Sequence, residues 1–255
     1  MHDLTGRTVL LTGASKGIGA ATAAAIGQAG AHLVAHYGSD RAGAEAAVTG
    51  LPDDRVLLVG ADLASGAEVD RLWDEAVKWR QRIDVLVNNA AVMRIAGGVE
   101  AEPEEWDRVW AETLQVNVLA PARLMRHAVR HFLQQGGGTI VTVSSWVAQR
   151  GPANPALLAY SASKGAVLAA TKTIARNYAR QNVLAYVVAP GVVRTRLSEE
   201  AAAAAGGEDA VTATLAMGEW VPPAEVAELI AYLATGRCRH LSGATLDVNG
   251  ASYIR

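Results

Sequence analysis

The stretch Val9-Leu10-Leu11-Thr12-Gly13-Ala14-Ser15-Lys16-Gly17-Ile18-Gly19 constrains the fold more than any other, because an apolar run breaks into a glycine turn that opens onto the Ala-rich residues 20–29. A strand, a glycine turn and a helix in that order present backbone N–H groups at the positive end of a helix, where a pyrophosphate can sit. Glycine is needed there because a side chain would hold phosphates off the backbone. The spacing is Gly-x-x-x-Gly-x-Gly rather than Gly-x-Gly-x-x-Gly. Strand-like runs then alternate with Ala-rich helical patterns, which argues for repeated βα units and a parallel sheet. The predicted strands are Val9 to Thr12, His32 to Tyr37, Val56 to Gly60, Val85 to Asn88, Thr139 to Ser144, Val183 to Val188 and Ala244 to Val248. Seven strands with intervening helices make an α/β, doubly wound (Rossmann-type) sheet.

Ligands of such sheets collect beyond the carboxyl ends of the strands. Gly13, Asp62, Asn89, Ser145 and Pro190 all fall just past predicted strand ends, so they are expected to converge on one edge. The 255 residues fit one large domain, 1–255, with no internal repeat or linker. A net charge of −2, from 23 basic and 25 acidic residues, points to no nucleic-acid or anionic-membrane partner. No apolar run approaches the roughly 18 residues of a membrane span, and no tripartite leader opens the chain, so secretion is not expected. Cys238 is the single cysteine, which excludes an internal disulfide and fits a reducing cytoplasm.

A second feature carries chemistry. Tyr160-Ser161-Ala162-Ser163-Lys164 sets a phenol and an ammonium one helical turn apart, on the same face. A lysine beside a tyrosine favours the phenolate, so a group with a reference pKa of about 10 is expected to move toward the working range of a general acid or base. Taken alone, such a pair is as well explained by a half-exposed helix face.

Glycine turn and Tyr-x-x-x-Lys together resemble the short-chain dehydrogenase/reductase family, over nearly the whole chain from Gly6 to Gly250. Asn88-Asn89-Ala90, Asp62-Leu63, Asn117, Ser145 and Pro190-Gly191 with Thr195 also fall where that family places functional residues. The resemblance implies an oxidoreductase that moves a hydride between a nicotinamide cofactor and a carbonyl or secondary alcohol. It implies that Tyr160 is the general acid or base, and that Lys164 lowers its pKa and contacts the nicotinamide ribose. Ser145 would hold the substrate oxygen, and Asn117 would support a water linking the lysine to solvent. Gly13, Ser15, Gly17, Ile18 and Gly19 would cradle the phosphates, with Asn89, Ala90, Pro190, Gly191, Val193 and Thr195 also on the cofactor. Asp62 and Leu63 would meet the adenine, although an aspartate before a helix is also a cap. Ala91 replaces a glycine often found after Asn-Asn-Ala, and fourteen residues separate Ser145 from Tyr160, slightly more than the family's usual spacing.

Cofactor choice turns on the end of the second strand. Tyr37 stands where family members that take the unphosphorylated cofactor usually carry an acid, with Ser39 close by, and Lys16 and Arg41 are placed to balance a 2′-phosphate. This favours NADP(H), with NAD(H) possible, since a shifted loop would bring Asp40 onto the ribose. The family's variable substrate lid corresponds to roughly 193–220. Met93, Trp146 and Trp220 are candidate apolar pocket walls, or else core residues; Arg94 and Arg150 would meet an anionic substrate, or else stay solvated. His127 and His131 have metal-like spacing but no third ligand or glutamate, so no metal is expected. The resemblance further implies a homodimer or homotetramer, within the 3-oxoacyl-acyl-carrier-protein reductase-like members. A non-redox epimerase or dehydratase, or a silent cofactor sensor, remains the alternative.

Overall fold

The structure, a computed structural model, describes residues 2–255. Seven parallel strands are found: β1 (Thr8–Leu11), β2 (His32–Tyr37), β3 (Val56–Gly60), β4 (Val85–Asn88), β5 (Gly138–Val143), β6 (Val183–Pro190) and β7 (Thr245–Val248). Their order in the sheet is β3-β2-β1-β4-β5-β6-β7. The chain winds outward from β1 to β3, returns to lay β4 on the other side of β1, and winds outward again. The reversal between β1 and β4 leaves a crevice at their carboxyl ends, because the connections depart in opposite directions there.

Successive residues of a strand face opposite sides, and β1 and β4 show this directly. Val9, Leu11, Val85 and Val87 enter one core with Ile26 of α1 (Gly17–Gln28) and Ile230 of α10 (Pro223–Ala234). Leu10 and Leu86 enter the other, with Leu72 of α3 (Gly66–Arg80) and Phe132 of α5 (Ala120–Gln135). Each of these side chains is fully buried, and each contributes on the order of 1.5–3 kcal/mol by leaving water. Apolar faces on both sides of the sheet explain why its strands read as nearly unbroken hydrophobic runs.

The remaining helices are α2 (Arg41–Ala47), α4 (Pro103–Leu114), α6 (Val147–Arg150), α7 (Leu158–Tyr178), α8 (Arg196–Ala203) and α9 (Glu208–Thr212). Short polar side chains start α2, α3 and α8: Asp40 accepts from Gly43 N–H at 2.9 Å, Ser65 from Glu68 at 3.3 Å and Thr195 from Ser198 at 3.3 Å. Between α4 and α5, residues Gln115–Leu119 form a π-helical turn. Pro121 sits just beyond it and has no N–H for the carbonyl four residues back, which is that of Asn117.

Strand boundaries match the sequence expectation to within two residues. β6 runs two residues further than expected because Pro190 still pairs with Val248 of β7. β1 stops at Leu11 because the chain beyond it bends into the turn, with Thr12 N–H held by the Val87 carbonyl at 3.0 Å. Residues 193–220 leave the sheet after β6 and carry α8 and α9. Their base is pinned by a parallel bridge between Val193 and Val221.

Candidate active site

A cleft of about 530 Å³ opens at the carboxyl ends of β1, β4, β5 and β6. Its floor is the glycine turn. Gly13 and Gly17 have φ of 72° and 56°, in the left-handed region that favours glycine. A Cβ on Gly13 would lie 2.9 Å from Ala90 Cα, and one on Gly19 would lie 1.8 Å from the Gly13 carbonyl oxygen. The turn therefore closes tightly enough to bring backbone, not side chains, to the cleft surface at the start of α1. Thr12 and Asn89 tie it to β4: the Thr12 hydroxyl accepts the Asn89 and Ala90 N–H groups at 3.0 and 3.1 Å, and the Asn89 amide donates to the Thr12 and Gly13 carbonyls. A backbone cradle with glycine where a Cβ would intrude fits a dinucleotide pyrophosphate.

Tyr160 and Lys164 reach the same cleft from the first turns of α7, and Ser145 reaches it from the loop after β5. Lys164 is 4 % exposed, and its ammonium donates to the Val143 carbonyl at 2.9 Å. It lies 5.7 Å from the centre of the Tyr160 ring. Burial pushes the Tyr160 phenol up to about 12, with a hydrogen bond to Ser145 pulling the other way. Burial also brings Lys164 down to about 8. The expected lowering of the phenol by its lysine neighbour is thus not a property of the protein by itself. Desolvation outweighs it, because the ammonium is turned to a backbone carbonyl and is itself disfavoured in the same enclosure.

Most sequence candidates meet in this cleft. Ser15, Lys16, Ile18, Ser39, Asn89 and Ala90 line one end together with the three glycines, and Pro190, Gly191, Val193 and Thr195 line the wall opposite. Met93 and Arg94 stand at the substrate end, where Arg94 is ion-paired with Glu112. Eight candidates lie outside the lining. Tyr37 lays its ring against Gly60, and Arg41 is paired with Glu45 at 2.8 Å. Asp62 turns its carboxylate to the Ala64 N–H at 2.8 Å, while Ser65 rather than Asp62 caps α3, and Leu63 is buried in the core.

Trp146 and Trp220 pack with Ala202 and Leu215 as a pedestal under the 193–220 segment, because each indole is nearly fully enclosed. Arg150 stacks on the Trp146 ring at 4.3 Å. Asn117 is buried beside the site, its amide donating to the Val92 carbonyl at 2.8 Å and the Ser163 hydroxyl at 3.1 Å and accepting from Val92 N–H at 2.8 Å. The two spaced histidines diverge: His127 bonds Asp70 at 2.8 Å, and His131 accepts the Ile83 N–H at 3.1 Å.

A family model described as enoyl-(acyl carrier protein) reductase matches residues 13–251. The chain belongs to the short-chain dehydrogenase/reductase family. It is 35% identical over 261 residues to 3beta-hydroxysteroid dehydrogenase 1 of Eggerthella lenta, covering 99% of this chain and 95% of that protein. It is 32% identical to the 3-oxoacyl-[acyl-carrier-protein] reductase of a Synechocystis species, over the whole length of both. Among solved structures, 3-ketoacyl-(acyl-carrier-protein) reductase from Brucella melitensis, complexed with NADH, superposes with a TM-score of 0.87 at 30% identity, covering 99% of this chain and 100% of that one. As a short-chain dehydrogenase/reductase the protein is an oxidoreductase.

Several cleft residues were not singled out in the sequence. Ser144 lines the cleft and donates to the Lys164 carbonyl at 2.9 Å, and Leu197 and Glu200 of α8 close the substrate end. Helix α8 has no spacing signal that would place it there, because only the packing of 193–220 brings it over the sheet. Thr12 had a signal: a hydroxyl at the last position of an apolar run.

The two shifted groups act on stability in opposite senses. Stability held by a neutral Tyr160 is present below its ordinary 10.0 and lost as pH rises to about 12, whereas Lys164, depressed from 10.5, gains stability as pH rises from about 8. Difference titration of tyrosinate absorbance between wild type and Tyr160→Phe, without cofactor, is expected to place the phenol's midpoint above 10.0. A midpoint below that value contradicts the burial argument.

Proposed function

We propose that the protein is an NADP(H)-preferring carbonyl reductase, or in reverse a secondary alcohol dehydrogenase, with Tyr160 as the proton donor. The observation that carries this reading is the meeting of Tyr160, Lys164 and Ser145 with the glycine turn in one cleft. The bound nicotinamide supplies or accepts the hydride. Tyr160 gives its hydroxyl proton to the carbonyl oxygen as the carbon is reduced, so that one hydride and one proton make the alcohol. A phenol held neutral by burial is suited to that donation, and Ser145, already bonded to it, is placed to hold the same oxygen. Lys164, titrating near 8, returns a proton to the phenolate. Asn117 braces the Val92 backbone and α7, and its carbonyl, left without an N–H from Pro121, is the acceptor for the water that links Lys164 to solvent.

The cofactor preference rests on Lys16 and Ser39 at the cleft rim and on the absence of an acid at Tyr37. Asp40 also lines the cleft, but one of its carboxylate oxygens holds the N-terminus of α2. The 193–220 segment acts as the substrate lid, with α8 bringing Leu197 and Glu200 opposite Met93 and Arg94. Apolar Met93 and Leu197 beside charged Arg94 and Glu200 suit a ketone carrying a polar substituent. Cys238, the single cysteine, suits a reducing cytoplasm, and among the described residues no helix is long and apolar enough to cross a membrane.

Tyr160→Phe is expected to lower turnover about a hundred- to ten-thousand-fold in a cofactor absorbance assay against ketones, 3-oxoacyl thioesters and hydroxysteroids, while cofactor binding persists. Wild-type turnover in that variant removes Tyr160 as the donor. For the cofactor, Lys16→Ala is expected to weaken NADP+ binding about tenfold and leave NAD+ binding nearly unchanged, as read by melting shifts. Equal losses for both cofactors contradict the 2′-phosphate role. Homodimeric or homotetrameric assembly belongs to the same reading, given Leu119 and Ile254 at 56% and 80% exposed. Sedimentation at micromolar concentration is expected to show no stable monomer.

A further inference from the structure

His36 interrupts the apolar run Leu33-Val34-Ala35 of β2 and is 2% exposed, directly behind the glycine turn. Its Nδ1 receives the Gly13 N–H at 3.1 Å, and its Nε2 faces the Ala61 carbonyl oxygen at 2.9 Å. A peptide N–H only donates and a carbonyl only accepts, so both contacts are satisfied by one species: the uncharged ring with its hydrogen on Nε2. The main chain repeats the connection, since Ala14 N–H donates to the His36 carbonyl at 2.8 Å. With φ at 72°, Gly13 turns its N–H inward to the ring. The N–H groups that face a phosphate are therefore those further along the turn, and the Gly13 N–H anchors the turn from behind.

We propose that His36 is a positioning residue for the cofactor, a strut that fixes the glycine turn against the end of β3 through Gly13 and Ala61. This rests on the reading that the glycine turn holds the pyrophosphate. The strut joins the two places a dinucleotide spans, because Ala61 immediately precedes Asp62 at the adenine end. Adding a proton would set a second ring N–H against the Gly13 N–H and break the strut at the turn.

The surroundings resist that proton. Burial and the nearby Arg71 hold the ring below its ordinary value of 6.5, against the hydrogen bond to Ala61. Arg71, from α3, donates to the Gly60 carbonyl at 2.7 Å and is paired with Glu68 and Glu75. Strands β1 and β3 carry no titratable side chain, Lys16 of the turn sits on the exposed rim, and the Asp62 carboxylate is turned to Ala64.

Two substitutions separate the two bonds. Asparagine places an amide oxygen where Nδ1 stood, so His36→Asn keeps the acceptor for Gly13; glutamine places its amide nitrogen where Nε2 stood, so His36→Gln keeps the donor to Ala61 and strands the Gly13 N–H. Titration of the full chain with NADPH and NADH by calorimetry is expected to show His36→Gln weakened roughly tenfold and His36→Asn within about twofold of wild type. As pH falls beyond the ordinary imidazole value of 6.5 into the lower range set by burial, wild-type affinity is expected to drop more steeply than that of His36→Asn, which has no imidazole to protonate. Equal affinities in all three proteins, equal losses in both variants, or the same pH profile in wild type and His36→Asn would each overturn the proposal. If His36→Gln does not fold, as read by circular dichroism, the comparison of wild type with His36→Asn decides alone. Wild type that binds neither cofactor overturns the underlying cofactor reading instead, which keeps the two failures apart.

Discussion

The hydrogen bonds that Asn89 and Thr12 exchange across the end of β1 and β4 hold open the crevice on which the site depends. Strand order reverses between these two strands, so no connection crosses the gap, and side chains must tie its walls together. Asn89 does this with its amide on two carbonyls of the turn, and Thr12 with one hydroxyl that receives two N–H groups. The turn so held is tight: its glycines leave no space for a Cβ, and the backbone alone forms the floor. His36 secures the same turn from the opposite side.

At the reacting end, burial rather than pairing sets the proton affinities. Tyr160 and Lys164 both move toward their uncharged forms, the phenol up to about 12 and the amine down to about 8, which widens the interval between them and reverses their order. An ammonium that is a stronger acid than the phenol gives its proton to the phenolate favourably, which suits Lys164 to re-protonate Tyr160. The wall that causes this comes from β5 and its loop, where Val143, Ser144 and Ser145 all contact the pair through backbone or hydroxyl groups.

Much of this was legible in the chain. The seven strands were readable because both faces of the sheet are covered, so each strand is an apolar run. The glycine turn was readable because its spacing admits few other structures, and Tyr160 with Lys164 because helical periodicity alone puts them on one face. Other residues resist such reading. Trp146 and Trp220 are large and apolar, which describes a pocket wall and a pedestal equally well; the packing of 193–220 makes them the latter. Asp62 carries a carboxylate that suits an adenine or a local backbone N–H, and in the structure one of its oxygens accepts from Ala64. Arg41 is a free cation in sequence but has Glu45 one helical turn away. The bend at Asn117 has a cause in Pro121, yet its consequence, the grip on Val92 and Ser163, joins residues far apart in the chain.

By itself the sequence determined the doubly wound sheet, the position of the nucleotide turn and the phenol–amine pair, since each follows from local spacing and periodicity. Tertiary structure alone decided which candidates share the cleft, how α8 closes it, and that His36 stands behind the turn as an uncharged ring. Those outcomes depend on burial and on hydrogen-bond partners brought from distant strands, and neither quantity is a property of a residue and its neighbours along the chain.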